Sequence, residues 1–268
     1  MDRPVPGDLT PLHGPPLDRR AGAYARAVAA KLTGVLADDL AAVYLIGSLA
    51  LGDYVPGRSD IDILAVSADG SLQHSKEVIV EELSHPRLAC PARGLEFVMY
   101  TKTSAATVTR TPRFALNLNT GPGMDEHVSF DPASEPSHWF ILDIALARRK
   151  AIALVGPPAA DLFAPVPEDW MLRALIESLE WHARHETLAH YSVLNACRSW
   201  RLAEEGVFDS KAGAAAWARP RMQDATILDS ALAIREGMTR PDLDEQDVRA
   251  FLWHVRARVL DIRARRNR

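Results

Sequence analysis

The chain has 268 residues, 47% of them hydrophobic and 25% charged, with a formal net charge of −4. That length exceeds what one small core needs and points to two domains, while the composition excludes a disordered or collagen-like chain. The mild acidity gives no sign of a nucleic-acid partner. The two cysteines, Cys90 and Cys197, stand far apart and in no metal-ligand spacing, so a disulfide scaffold is excluded and a reducing cytoplasm fits. No apolar run approaches the roughly 20 residues of a membrane span.

Residues 1–20 are rich in Pro and Gly and lack the apolar stretch of a signal peptide, so they read as a loose lead-in. Ala21 to Leu40 reads as a helix, with Tyr24, Val28, Leu32 and Leu36 recurring at i, i+4 spacing. The run Ala42 to Ile46, β-branched and aromatic, reads as a buried strand that ends in Gly47-Ser48. Leu49 to Tyr54 is a short helix or turn, and Pro56-Gly57 breaks the chain. Ser59 to Ser67 reads as a second strand, Ser75 to Leu83 as a helix and Leu95 to Thr101 as a third strand. From Trp139 the pattern is helical: 139–153, 170–190, 193–204, 213–218, 222–236 and 245–265. Arg256, Arg258, Arg263, Arg265, Arg266 and Arg268 crowd the last helix and read as a solvated helix end. The expectation is an α/β domain with a small mixed sheet over residues 21–155 and an all-α helical bundle over 156–268, with the boundary near residues 150–168.

The informative segment is Leu45-Ile46-Gly47-Ser48 followed by Arg58-Ser59-Asp60-Ile61-Asp62-Ile63-Leu64. Residues i and i+2 of a strand share a face, so Asp60 and Asp62 project together while Ile61 and Ile63 point into a core. Two neighbouring carboxylates repel, and a cation between them removes the conflict. Mg²⁺ prefers such a pair, completed by water and phosphate oxygens. Gly47 allows close approach of backbone to a phosphate, and the Ser48 hydroxyl supplies a donor. A third acid, Glu96, lies in the apolar run Leu95-Glu96-Phe97-Val98-Met99, where it is a candidate base for an attacking hydroxyl.

This arrangement is similar to the signature of the nucleotidyltransferase superfamily that includes DNA polymerase β. The chain further resembles the aminoglycoside adenylyltransferases that modify streptomycin and spectinomycin. That resemblance is carried by Tyr44 to Ser48, Ser59 to Leu64, Leu95-Glu96-Phe97, Ala153-Leu154-Val155-Gly156-Pro157 with Asp161-Leu162-Phe163, Cys197 to Trp200, and Ser210-Lys211-Ala212. It implies transfer of AMP from ATP to a hydroxyl of a small aminoglycoside or aminocyclitol acceptor, with no nucleic acid or membrane partner. It implies Asp60 and Asp62 as Mg²⁺ ligands and Glu96 as catalytic base. Gly47, Ser48, Arg58, Arg198 and Lys211 would then be nucleotide contacts. Two departures weigh against streptomycin. The Trp of the streptomycin-binding members falls near Gly121, and their acidic residue falls at Leu188 or the nearby Glu186. Asp125, Glu126, Trp181 or Glu186 are the alternative aromatic and acidic groups for a cationic sugar. The rival readings are a nucleotidyltransferase for a metabolite, protein or RNA hydroxyl, and a nucleotide-binding relative without turnover.

Overall fold

The computed structural model describes residues 17–70, 72–185, 189–238 and 243–268, and the chain divides into two compact units. The first holds residues up to Ser134 together with Ala147–Pro165, and the second holds Glu135–Leu146 together with Val166–Arg268. Glu186 and Leu188 lie outside the described residues.

In the first unit, α1 (Arg19–Leu36) starts where the Asp18 carboxylate accepts hydrogen bonds from the amides of Arg20 and Ala21 at 3.0 and 2.9 Å. A cap of this kind stabilises a helix by about 1 kcal/mol. Tyr24, Val28, Leu32 and Leu36 are all buried on one face, as their spacing predicts. The helix stops four residues short of the expected Leu40, because Ala37 takes the left-handed conformation at φ 48° and a single 3-10 turn leads into the first strand.

The strands are β1 (Leu40–Ile46), β2 (Ile61–Ser67), β3 (Leu95–Thr101), β4 (Leu116–Thr120), β5 (His127–Ser129) and β6 (Ile152–Val155). They form one mixed sheet in the order β5-β4-β3-β2-β1-β6, in which β2 and β3 are parallel and every other pair is antiparallel. The sequence suggested three strands, and the other three escaped it. The segment 114–121 was a loop in that reading, whereas 116–120 is β4, and the last residues of the expected helix 139–153 belong to β6.

One face of the sheet carries Val43, Leu45, Ile61, Ile63, Phe97, Met99, Leu116 and Leu118 into a core shared with α1 and with Ile79 and Leu83 of α3 (Leu72–Leu83). Burial of each large aliphatic side chain contributes roughly 1.5–3 kcal/mol. On the opposite face, the buried Tyr44 hydroxyl donates to the Pro157 carbonyl at 2.8 Å, and Phe163 packs against the rings of Tyr44 and Tyr100. Gly156 makes this return possible. It sits at φ 82°, and a Cβ there would lie 2.3 Å from the Ala41 carbonyl oxygen.

The second unit is helical: α5 (Ser137–Lys150, which begins in this unit), α7 (Glu168–His185), α8 (His190–Glu205), α9 (Lys211–Ala218), α10 (Thr226–Arg235) and α11 (Glu245–Arg266). The short α4 (Lys102–Ala106) and α6 (Ala159–Leu162) belong to the first unit. Val248, Phe251, Leu252, Val255, Val259 and Ile262 form the buried stripe of α11. The arginines of that helix are not simply a solvated end. Arg256 pairs with Glu180, Arg263 with Asp169 at 2.6 Å, and Arg266 with Glu168, all across to α7. Both cysteines are free and buried, and burial pushes the Cys197 thiol up to about 12. No helix among the described residues is long and apolar enough to cross a membrane.

Candidate active site

The site is built where β1 ends against β2. Gly47 follows β1 at φ 64°, a conformation that glycine adopts without steric cost. Ile46 pairs with Asp62 in the antiparallel register, which brings the Asp62 carboxylate directly over the Gly47 backbone. A Cβ on Gly47 would lie 1.8 Å from Asp62 Oδ2. The missing side chain at 47 is therefore the space that the carboxylate fills. Beside it, Ser48 Oγ is buried and has no hydrogen-bond partner among the described residues. A buried hydroxyl without a partner costs about 1–3 kcal/mol, which an incoming acceptor oxygen would relieve.

Across the sheet, Asp62 is in register with Glu96 of the parallel strand β3, Glu96 with Asn119 of β4, and Asn119 with His127 of β5. Register partners project to the same face, so this row of four polar residues crosses the sheet on the side away from the α1 core. Glu96 is exposed, and β3 is an interior strand of the sheet, so the carboxylate pays no burial cost of the kind its apolar neighbours suggested. Its orientation follows from strand alternation alone, since Leu95 and Phe97 are buried on the other face.

Asp60 precedes β2, and its Oδ2 pairs with Arg93 at 3.2 Å. Arg93 also donates from Nε to the Gly123 carbonyl at 3.1 Å, and its own carbonyl accepts from the Gly123 amide at 2.8 Å. It thus ties the loop before β3 to the loop after β4. Sequence reading missed Arg93, Asn119 and His127. The latter two could have been found from the Asn/Leu alternation of β4, but Arg93 sits in an irregular loop without a pattern. Arg58 is exposed on the turn that leads into Asp60, where Val55 N donates to Ser59 Oγ.

The structure therefore brings Gly47, Ser48, Asp62 and Glu96 together, with Asp60 turned to Arg93. Among the described residues, no group of three His, Cys, Asp or Glu side chains is placed to hold a metal ion by itself. Arg198 and Lys211 belong to the helical unit. Arg198 Nε donates to the Asp209 carbonyl at 3.1 Å, and the Asp209 side chain accepts from Arg201. Lys211 opens α9, two residues on, after Ser210 caps that helix through its hydroxyl.

Two family models match the chain: the nucleotidyltransferase domain over residues 31–91 and the aminoglycoside adenylyltransferase C-terminal domain over residues 161–258. The first spans Gly47 to Asp62 and stops short of Glu96; the second spans Arg198 and Lys211. The chain belongs to the aminoglycoside adenylyltransferase family of nucleotidyltransferases. The aminoglycoside (3'')(9) adenylyltransferases of Klebsiella pneumoniae and Escherichia coli are each 29% identical over 195 residues, covering 70% of this chain and 74% and 73% of their own lengths. That of Rhizobium radiobacter is 36% identical over 96 residues, 35% of each chain. Among solved structures, the spectinomycin adenyltransferase AAD(9) from Enterococcus faecialis, determined with ATP and spectinomycin, shares the fold. It has a TM-score of 0.69 and 17% identity, over 89% of this chain and 99% of that one. As an aminoglycoside adenylyltransferase family member, this enzyme takes a nucleotide cosubstrate.

The family's streptomycin-associated aromatic position falls near Gly121. Here a Cβ at Gly121 would lie 2.3 Å from the Gly94 Cα and 2.7 Å from the Arg93 carbonyl oxygen. Two backbone segments pass in contact at that point, so this enzyme has no room for a side chain there.

Proposed function

We propose that this enzyme works in the cytoplasm and transfers AMP from ATP to a hydroxyl of an amine-bearing small molecule of the aminocyclitol class, with spectinomycin as the nearest candidate. The observation that carries this reading is the Asp62 carboxylate lying over the side-chain-free backbone of Gly47, with the unpartnered Ser48 hydroxyl beside it. The curated relatives act on aminoglycosides by name, and the backbone contact at Gly121 favours an acceptor other than streptomycin.

Asp60 and Asp62 would hold Mg²⁺, which supplies positive charge to the phosphates and steadies pyrophosphate as it leaves. Two carboxylates without a third protein ligand suit that ion, whose remaining positions go to phosphate oxygens and water. Arg93 neutralises part of the Asp60 charge and keeps the Asp60 loop against the loop before β3. The Gly47 turn lets phosphate oxygens come close to backbone, and Ser48 Oγ donates to one of them. Arg58, Arg198 and Lys211 supply further cations for the triphosphate, as phosphate recognition requires. The acceptor hydroxyl is held near Glu96, which takes its proton. The oxygen then forms a bond to the α-phosphorus while the bond to pyrophosphate breaks.

The test is to incubate the full chain with ATP, Mg²⁺ and a panel containing spectinomycin, streptomycin and other aminocyclitols, following pyrophosphate and the acceptor mass. The expected result is one added AMP on an aminocyclitol, with a loss of about 10²–10⁴-fold in Glu96→Gln. Tight ATP binding without transfer to any member of the panel would overturn the acceptor assignment. Full turnover in Asp62→Asn would overturn the site.

A further inference from the structure

Within the helical unit, His138 of α5 and Trp181 of α7 border a cavity of about 260 Å³ that is also lined by Pro136, Glu177, Glu180 and Arg184. The two rings lie 6.4 Å apart, and Trp139 meets Trp181 edge-on at 5.1 Å. His138 is only 5% exposed, yet its Nε2 is buried without a hydrogen-bond partner among the described residues. Burial, with a smaller contribution from His182, pushes its pKa down to about 4, so the imidazole is neutral at physiological pH. A side chain with only a packing role at this place would be served better by an apolar ring, because the orphaned nitrogen costs about 1–3 kcal/mol.

The charges around the cavity are not equivalent. Glu180 is engaged by Arg256 at 2.5 Å and by Arg184 at 3.7 Å. Glu177, one turn earlier on the same helix, is exposed and has no ion pair among the described residues. The cavity therefore combines one uncommitted carboxylate, one neutral nitrogen able to accept or donate a hydrogen bond, and the flat indole of Trp181.

We propose that this cavity is a binding site for a protonated amino ring, with Glu177 pairing the ammonium, His138 Nε2 bonding a neighbouring hydroxyl, and Trp181 covering the aliphatic ring face. An indole beside an ammonium adds a cation–π attraction to the ion pair. That this ring belongs to the acceptor rests on the reading under Proposed function; that the cavity takes an amine ring does not.

The experiment titrates the full chain with 2-deoxystreptamine, a bare aminocyclitol, by calorimetry, with cyclohexanol as an uncharged comparison. The expected result is saturable binding of the amine alone, weakened at least about 10-fold in Glu177→Gln, a surface change that leaves the core intact, and likewise in His138→Phe. No saturable binding, or equal binding by wild type and Glu177→Gln, overturns the proposal. The transfer assay separates the two readings. If AMP transfer proceeds and the acceptor KM is unchanged in Glu177→Gln, the assignment of this cavity to the acceptor fails while the proposed reaction stands. If the ring binds in a Glu177-dependent way to a chain that transfers AMP to nothing, the cavity stands and the proposed reaction fails.

Discussion

Replacing Gly47 by alanine tests the arrangement at the end of β1 with a single methyl group. Two costs can be separated. The backbone cost comes from holding a non-glycine residue at φ 64°, about 1–2 kcal/mol. The contact cost falls on Asp62. Its Oδ2 would lie 1.8 Å from the new carbon and its Cγ 2.4 Å, whereas real contacts of this kind stay above 3.0 Å. The carboxylate must therefore retreat by about 1 Å or more, and a misplacement of that size costs on the order of 10²-fold in rate. Gly206, the C-cap of α8, is the matched control. It sits at φ 69° with nothing within 4 Å of an added Cβ, so Gly206→Ala incurs the backbone cost without the collision. Urea unfolding and pyrophosphate release at saturating ATP would be measured on both variants. The expectation is similar losses of stability, with the roughly 100-fold loss of turnover confined to Gly47→Ala. Equal turnover in the two variants would mean that the position of Asp62 over Gly47 does not matter to the chemistry.

Two more outcomes follow from the geometry. Gly121→Ala forces a carbon against the Gly94 backbone, which cannot swing aside as a flexible side chain can, so a loss of about 1–3 kcal/mol is expected in urea unfolding; a neutral effect would refute the contact. Asp169 is held below the usual carboxylate range chiefly by its hydrogen bond from Arg263. A carboxylate depressed in the folded state contributes stability above its unfolded pKa, near 3.9, and loses it as pH falls through the folded value. Asp169→Asn should therefore flatten the acid limb of the stability–pH curve below about pH 4, and an unchanged limb would show that the pair is not coupled to folding.

The strands that the sequence revealed are those with unbroken β-branched and apolar runs. β3 is found at its full extent, 95–101, because Leu95, Phe97 and Met99 alternate against an otherwise apolar face. β4 escaped because two of its five residues are asparagine, which strands disfavour, and only its pairing with β3 holds it extended. β6 has four residues and follows a helix so closely that period two has no room to declare itself. At the site, period two was enough to orient Asp62 and Glu96 on their own strands. That they stand side by side is a fact of parallel register, which no local pattern encodes. Arg93 lay beyond reach for the same reason: its partners Asp60 and Gly123 are 33 and 30 residues away.

The edge strand β6 is threaded into the first unit only after the chain has contributed residues 135–146 to the second. A fragment ending at Ser134 would hold five of the six strands and leave the long, apolar β1 as a bare border with its amides and carbonyls unpaired. Such a border invites pairing with another copy, which predicts that prematurely terminated chains aggregate. On the ribosome, the sheet is complete only when the polypeptide has emerged beyond Val155, so closure of this border is a late event in synthesis.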